Sequence, residues 1–353
     1  MNNPGAHRRT RVRLAVIGTG VVVASLAVFS HSSVATDSVL RLRDVGLIVA
    51  HDYSINNRAN ASLSYALQAT NEEGSALAMD NMAFRAARLS GYTTIEGSHY
   101  FPFYGRVISS AVPLQSSYPV NFAVLVAQSS SAGTPPADRV CPKSGAFLVL
   151  RKVSAMSTWR VAFEPAVARL AGINRFATTG SGYRVPVVPG SLTAPLDSLP
   201  QTFVTALNAE ATSGAASTLL PTRVFSYGHC GDLGLENPRS DEGTVHGLST
   251  SFRAFAPSPS DLVAFATNRG AALALFTIKE RVTEVAASKS QFIIWSHGST
   301  TWWSLLKAGN YTKVSWIIDQ ELAVVVPSAA SGQAVRIVGA DSGVIAVSGS
   351  ARH

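Results

Sequence analysis

Apolar and polar positions along the chain fall into three regimes: one uncharged block, then two stretches in which helical spacing is followed by alternation. Leu14 to Ser30 carries no charge and follows directly on Arg8, Arg9, Arg11 and Arg13. Cationic flanks stay on the cytoplasmic side during insertion, so this order directs everything after Ser30 across a membrane. Seventeen residues sit at the lower edge of what spans a bilayer core of about 30 Å. Two outcomes stay open: an uncleaved single-pass anchor, or a signal peptide removed near Ser33-Val34-Ala35.

Beyond it, Leu42, Val45, Val49, Tyr53, Leu63 and Leu67 recur mostly at three- and four-residue spacing, which predicts one long helix over Val39 to Ala69. Asn71-Glu72-Glu73-Gly74 ends it, and a second helix is expected over Ser75 to Leu89. Tyr100 to Tyr104, dense in aromatics around Pro102, reads as a loop on an apolar surface. Short β-branched and aromatic runs then predict strands at Asn121 to Gln128, Ala146 to Val153 and Trp159 to Phe163. Pro186, Pro189, Pro195 and Pro200 mark a linker, after which a helix over Leu199 to Ala211 begins the same rhythm again. Strands are expected at Thr244 to Ala256, Leu262 to Asn268, Ala271 to Thr283, Gln291 to Trp295, Val314 to Pro327 and Val335 to Val347.

The expected class is therefore α+β, with two modules behind one N-terminal transmembrane or signal helix. In residue numbers this gives a basic cytoplasmic stub at 1–13, the apolar segment at 14–30, a first module at 39–180, a linker at 181–196 and a second module at 197–350.

Charge changes the picture little. The 353 residues carry a net charge of +8 and an isoelectric point near 9.7, but four of the basic residues flank the apolar segment. A mild excess without a basic run argues against nucleic acid as a partner. Cys141 and Cys230 fall in the translocated part, where oxidising conditions allow a disulfide; a bridge between them, closing a loop of about 90 residues, is expected, with two separate thiols as the alternative.

Candidate chemistry is sparse. The Gly-x-Ser-x-Gly elbow of serine hydrolases is absent. Ser304-Leu305-Leu306-Lys307 and Lys143-Ser144-Gly145 match fragments of penicillin-binding motifs in reversed order, as chance four-letter matches do. His51, His99, His229, His246 and His297 show no ligand spacing, so no metal, cofactor or catalytic residue is expected. The densest polar group is Asn56-Asn57-Arg58-Ala59-Asn60, with Asp52 one turn earlier on the same helical face. It is expected either to brace buried backbone, with Glu72, Glu73 and Asp80 as partners for Arg58, or to line a polar pocket. Trp302-Trp303 is expected to place one ring in a core and the other at a surface.

Several phrases resemble a known family: Asn56 to Asn60 with Glu73-Gly74-Ser75-Ala76-Leu77 and Asp80, then Tyr118 to Val124, Trp159-Arg160-Val161, Arg269 to Phe276 and Ala323 to Pro327. The resemblance is to an uncharacterised actinobacterial family of membrane-anchored or lipoprotein-type proteins. It implies an extracytoplasmic protein whose halves take the cystatin-like or nuclear-transport-factor-2-like (NTF2-like) fold. Asn121 stands where that family tends to carry an aromatic. The expectation is thus a non-enzymatic protein tethered to the membrane by its N-terminal segment and acting through envelope protein contacts. A subunit of a secretion or conjugation complex and a cell-wall hydrolase without a recognisable motif are the rivals. Oligomeric state is not legible in the sequence.

Overall fold

In the computed structural model of the chain, the residues described are 38–97, 99–100, 102–130, 145–167, 175–213, 243–245, 248–257, 261–286, 293–295, 304–307 and 309–351. The segment 14–30, both cysteines and Trp302-Trp303 lie outside them. No helix among the described residues is long and apolar enough to cross a membrane.

Among the described residues there are four α-helices: α1 (Val45–Ser62), α2 (Tyr65–Asn71), α3 (Gly74–Leu89) and α4 (Leu199–Ser213). The expected long helix over Val39 to Ala69 is broken in two. Leu63 turns left-handed (φ 52°) to bury its side chain, and Ser64 then caps α2 by accepting the Leu67 N–H at 3.3 Å. Arg88 of α3 donates to the freed Leu63 carbonyl at 2.7 Å, so packing against a neighbour outweighs local propensity at the break.

The described residues also form twelve strands, in chain order β1 (Phe103–Ala111), β2 (Val120–Ser130), β3 (Gly145–Lys152), β4 (Arg160–Phe163), β5 (Ala166–Val167), β6 (Gly243–Val245), β7 (Leu248–Phe255), β8 (Val263–Ala266), β9 (Ala272–Ala286), β10 (Ile293–Trp295), β11 (Gly309–Val326) and β12 (Arg336–Ala351). Two corrections to the sequence reading stand out. Phe103 and Tyr104, expected in a loop, open β1, and Thr244 to Ala256 forms two antiparallel strands, with Val245 opposite Leu248.

The main path runs β1-β2-β3-β5-β12-β11-β9-β7-β6, with β4 beside β3, β8 beside β9 and β10 beside β11, all antiparallel. Strands from both halves therefore share one sheet. They meet at β5, where Ala166 faces Ala146 on one side and Ala340 on the other. Gly339 permits that approach, because a Cβ there would sit 3.0 Å from the Ala166 carbonyl oxygen.

The remaining gap is closed by the stretch read as a linker and the residues just before it. Phe176 bridges Thr267 beside β8, Thr178 bridges Arg184, and the Arg184 N–H donates to the Val112 carbonyl beyond β1 at 2.7 Å. The hydrogen-bonded path thus returns to its first strand. Inside the ring lie Leu125, Phe147, Phe163, Phe176, Phe265, Leu273 and Leu275, supplied by both halves. Outside it, α1 covers β2 and β3 through Val45, Val49 and Tyr53, while α4 covers β9 and β11 through Phe203, Val204 and Leu207. The backbone of β1 comes close under α1 only because residue 105 is glycine; a Cβ there would lie 2.1 Å from the Tyr53 ring. Helix α3 touches both sides, with Ala76 in the first outer core and Ala86 in the second.

Because both halves contribute to one interior, truncating Leu275 to Ala should cost about 3 kcal/mol and lower the unfolding midpoint of the whole molecule. Urea unfolding followed by hydrogen exchange in β2 and in β9 checks this; separate midpoints for the two strands would contradict a shared core.

Candidate functional site

The polar face of α1 becomes a buried network. Asp52, Asn56, Asn57 and Asn60 are all at least nine-tenths buried. Asn60 donates to the Asn56 Oδ1 at 2.6 Å, and Gln68 of α2 donates to Asp80 of α3 at 2.7 Å and reaches the same Asn56 oxygen at 3.5 Å. The amides thereby link all three N-terminal helices. Arg58 is exposed and stays out of this network; Glu73 instead lies 3.7 Å from Arg151 of β3.

Asn57 has a separate task. Its amide nitrogen donates to the Phe103 carbonyl at 2.7 Å while its oxygen accepts the Phe103 N–H at 3.1 Å and the Tyr100 hydroxyl at 2.7 Å. One side chain thus satisfies both backbone groups at the outer side of β1, as an adjoining strand would.

Asp52 is the group whose chemistry the fold alters most. Burial pushes its carboxyl up to about 7, opposed in part by the nearby Asn71 side chain. The Tyr53 hydroxyl is likewise raised, first by burial and then by nearby carboxylates.

A second polar cluster joins the halves. Glu321 of β11 accepts the Ser75 hydroxyl at 2.6 Å and the Glu164 N–H at 2.7 Å, and Ser75 in turn accepts from Thr277 of β9 at 3.0 Å. Beside it Asp319 pairs with Lys279 at 2.6 Å; burial raises the Asp319 carboxyl while this lysine lowers it. None of Gln68, Asn71, Ser75, Glu321 or Asp319 stands out in the sequence as a candidate site residue. A signal was present in Asp319-Gln320-Glu321, three polar residues inside a strand otherwise rich in Val, Ile and Leu.

Two open clefts flank the ring's closure. One, of about 630 Å³, is lined by Ser109, Ser110, Arg175, Thr178 and Asn268. The other, of about 450 Å³, has Arg184 among Pro113, Leu114, Pro186 and Val187. The Arg184 guanidinium lies 5.7 Å from the Phe265 ring centre, and burial lowers its pKa from the ordinary value. Among the described residues it has no carboxylate partner. The Ser304 hydroxyl donates to the Ala86 carbonyl at 2.9 Å, and Lys143-Ser144 lies outside the described residues. Among the described residues no group of His, Cys, Asp or Glu is arranged to hold a metal ion.

These features define an α+β protein with a large antiparallel sheet, buried polar braces and open clefts at the seam. The family model for a domain of unknown function (DUF8094) matches residues 47–349, and the chain belongs to that family. No curated protein and no solved structure matches it significantly.

The folded Asp52 keeps its proton to about pH 7, whereas an unfolded aspartate releases it near 3.9. Between these values the folded state binds the extra proton, so stability falls as pH rises and levels off above about 7, at up to ~1.4 kcal/mol per pH unit. Asp52→Asn should remove this slope and make the protein more stable than the parent at pH 8 but not at pH 4. Parallel curves of unfolding free energy against pH for the two proteins would refute the assignment. Glu321→Ala leaves two buried donors without their acceptor and should cost about 3 kcal/mol, with Glu321→Gln less damaging because one acceptor oxygen remains. Urea midpoints of the two variants decide the order.

Proposed function

We propose that this is a non-enzymatic protein of the cell envelope, tethered to a membrane through Leu14 to Ser30, with the bulk of the chain on the extracytoplasmic side and acting through contacts of its folded surface. The observation that carries the reading is how its buried polar side chains are used. The Asn56–Asn60–Gln68–Asp80 network, Asn57 on Phe103 and Glu321 on Ser75 all hold one element against another. Catalysis calls for the reverse arrangement, with titratable groups converging on an opening where substrate can reach them. The helix-on-antiparallel-sheet layering on either side of the shared interior supports a kinship of each half with cystatin-like or NTF2-like modules. The order of basic cluster and apolar segment supports the tether and its orientation.

Alkaline phosphatase fused to the C-terminus should be active in intact cells, and the chain should stay with membranes through a carbonate wash. A C-terminus reporting from the cytosol would overturn the orientation, and release by the wash would overturn the tether. Whole-cell cross-linking should give an adduct of discrete mass; a chain that migrates alone would remove the contact role.

A further inference from the structure

The cleft at the ring's closure sits where the chain enters the fold. The Ser38 hydroxyl donates to the Pro113 carbonyl at 3.2 Å, and the Val39 N–H donates to the Gln115 carbonyl at 2.8 Å. Pro113 and Gln115 also line the 450 Å³ cleft that holds Arg184. Eight peptide steps separate Ser30 from Ser38, a span of at most about 28 Å even when fully extended. If Leu14 to Ser30 is the tether, as proposed above, this cleft is held within that distance of the bilayer surface.

Its chemistry is that of an anion site with an apolar rim. Leu114 is 65% exposed at the edge, Pro186 is exposed beside it, and among the described residues no acidic one lines the cleft. Arg184 is half-buried, with its guanidinium carbon 5.7 Å from the centre of the Phe265 ring, and it lines the cleft. Guanidinium groups bind phosphate oxygens in pairs, and an arginine near an anionic bilayer gains roughly 1 kcal/mol from it.

We propose that this cleft receives the phosphate head of an anionic membrane lipid, with Arg184 on the phosphate and Leu114, Pro186 and Val187 against the glycerol and first acyl carbons. The tether and the cleft then give the protein two attachments to one bilayer, and the second fixes the orientation of the fold.

The full chain is placed in nanodiscs of phosphatidylcholine with or without phosphatidylglycerol, and amide exchange is followed at Leu114, Gln115, Val185, Val187 and Val188. Exchange there should be about fivefold slower in the anionic discs, the size that one arginine at such a surface supplies. Arg184→Gln should abolish the difference, and Arg184→Lys should retain part of it. Arg253→Gln, at an exposed position of β7 outside the cleft, should leave it unchanged. Equal exchange in both discs, or a difference that survives Arg184→Gln, overturns the site while leaving the tether standing. Failure of the chain to remain in any disc overturns both.

Discussion

Everything else in this fold depends on two stretches of antiparallel sheet turning their apolar faces to the same interior. Neither stretch could keep that face out of water alone. Phe147 and Leu125 come from the first half, Phe265, Leu273 and Leu275 from the second, and Phe176 arrives from the segment between them. Burial of this kind is non-directional, so it explains why the halves adhere but not why they adopt one register. The directional part comes from β5, two residues long, and from the bridges that run from β8 through Thr178 and Arg184 to Val112.

Buried polar groups supply the remaining specificity. A Glu at position 321 is costly to bury, and it persists because Ser75 and the Glu164 N–H bind it from the other half. An amide behaves similarly in the helical layer, where Gln68 of α2 reaches Asp80 of α3 and Asn56 of α1 only when the three helices are correctly aligned. Apolar contacts among Ala59, Phe84 and Ala87 would tolerate some sliding; this network does not.

Legibility in the sequence followed the length and regularity of each element. Helix α3, helix α4 and strands such as β2, β3, β9, β11 and β12 were plain because each carries enough periodic residues to declare its geometry. Strand β1 was hidden because Tyr100 to Tyr104 masks its start and because an edge strand completed by the Asn57 side chain needs no second neighbouring strand. The break at Leu63 was hidden for a related reason: a leucine with positive φ is chosen by the pocket that buries it, not by its neighbours in the chain. Of the polar candidates, Asp52, Asn56, Asn57 and Asn60 were found because they interrupt an apolar stripe, whereas Arg58 shares their neighbourhood in sequence only. Asp80 was named there too, but as a partner for Arg58 rather than Gln68; Gln68 itself, and the Ser75–Glu321 pair separated by 246 positions, were set by tertiary contact and had no local signature.

Ser38 and Val39, hydrogen-bonded to Pro113 and Gln115, adjoin the seam where the ring shuts. Any tension entering through the N-terminus is delivered there first, into the bond between Arg184 and Val112 and the short bridges behind it. A load applied at Ser38 therefore tests the closure of the ring before it reaches the cores packed under α1 and α4.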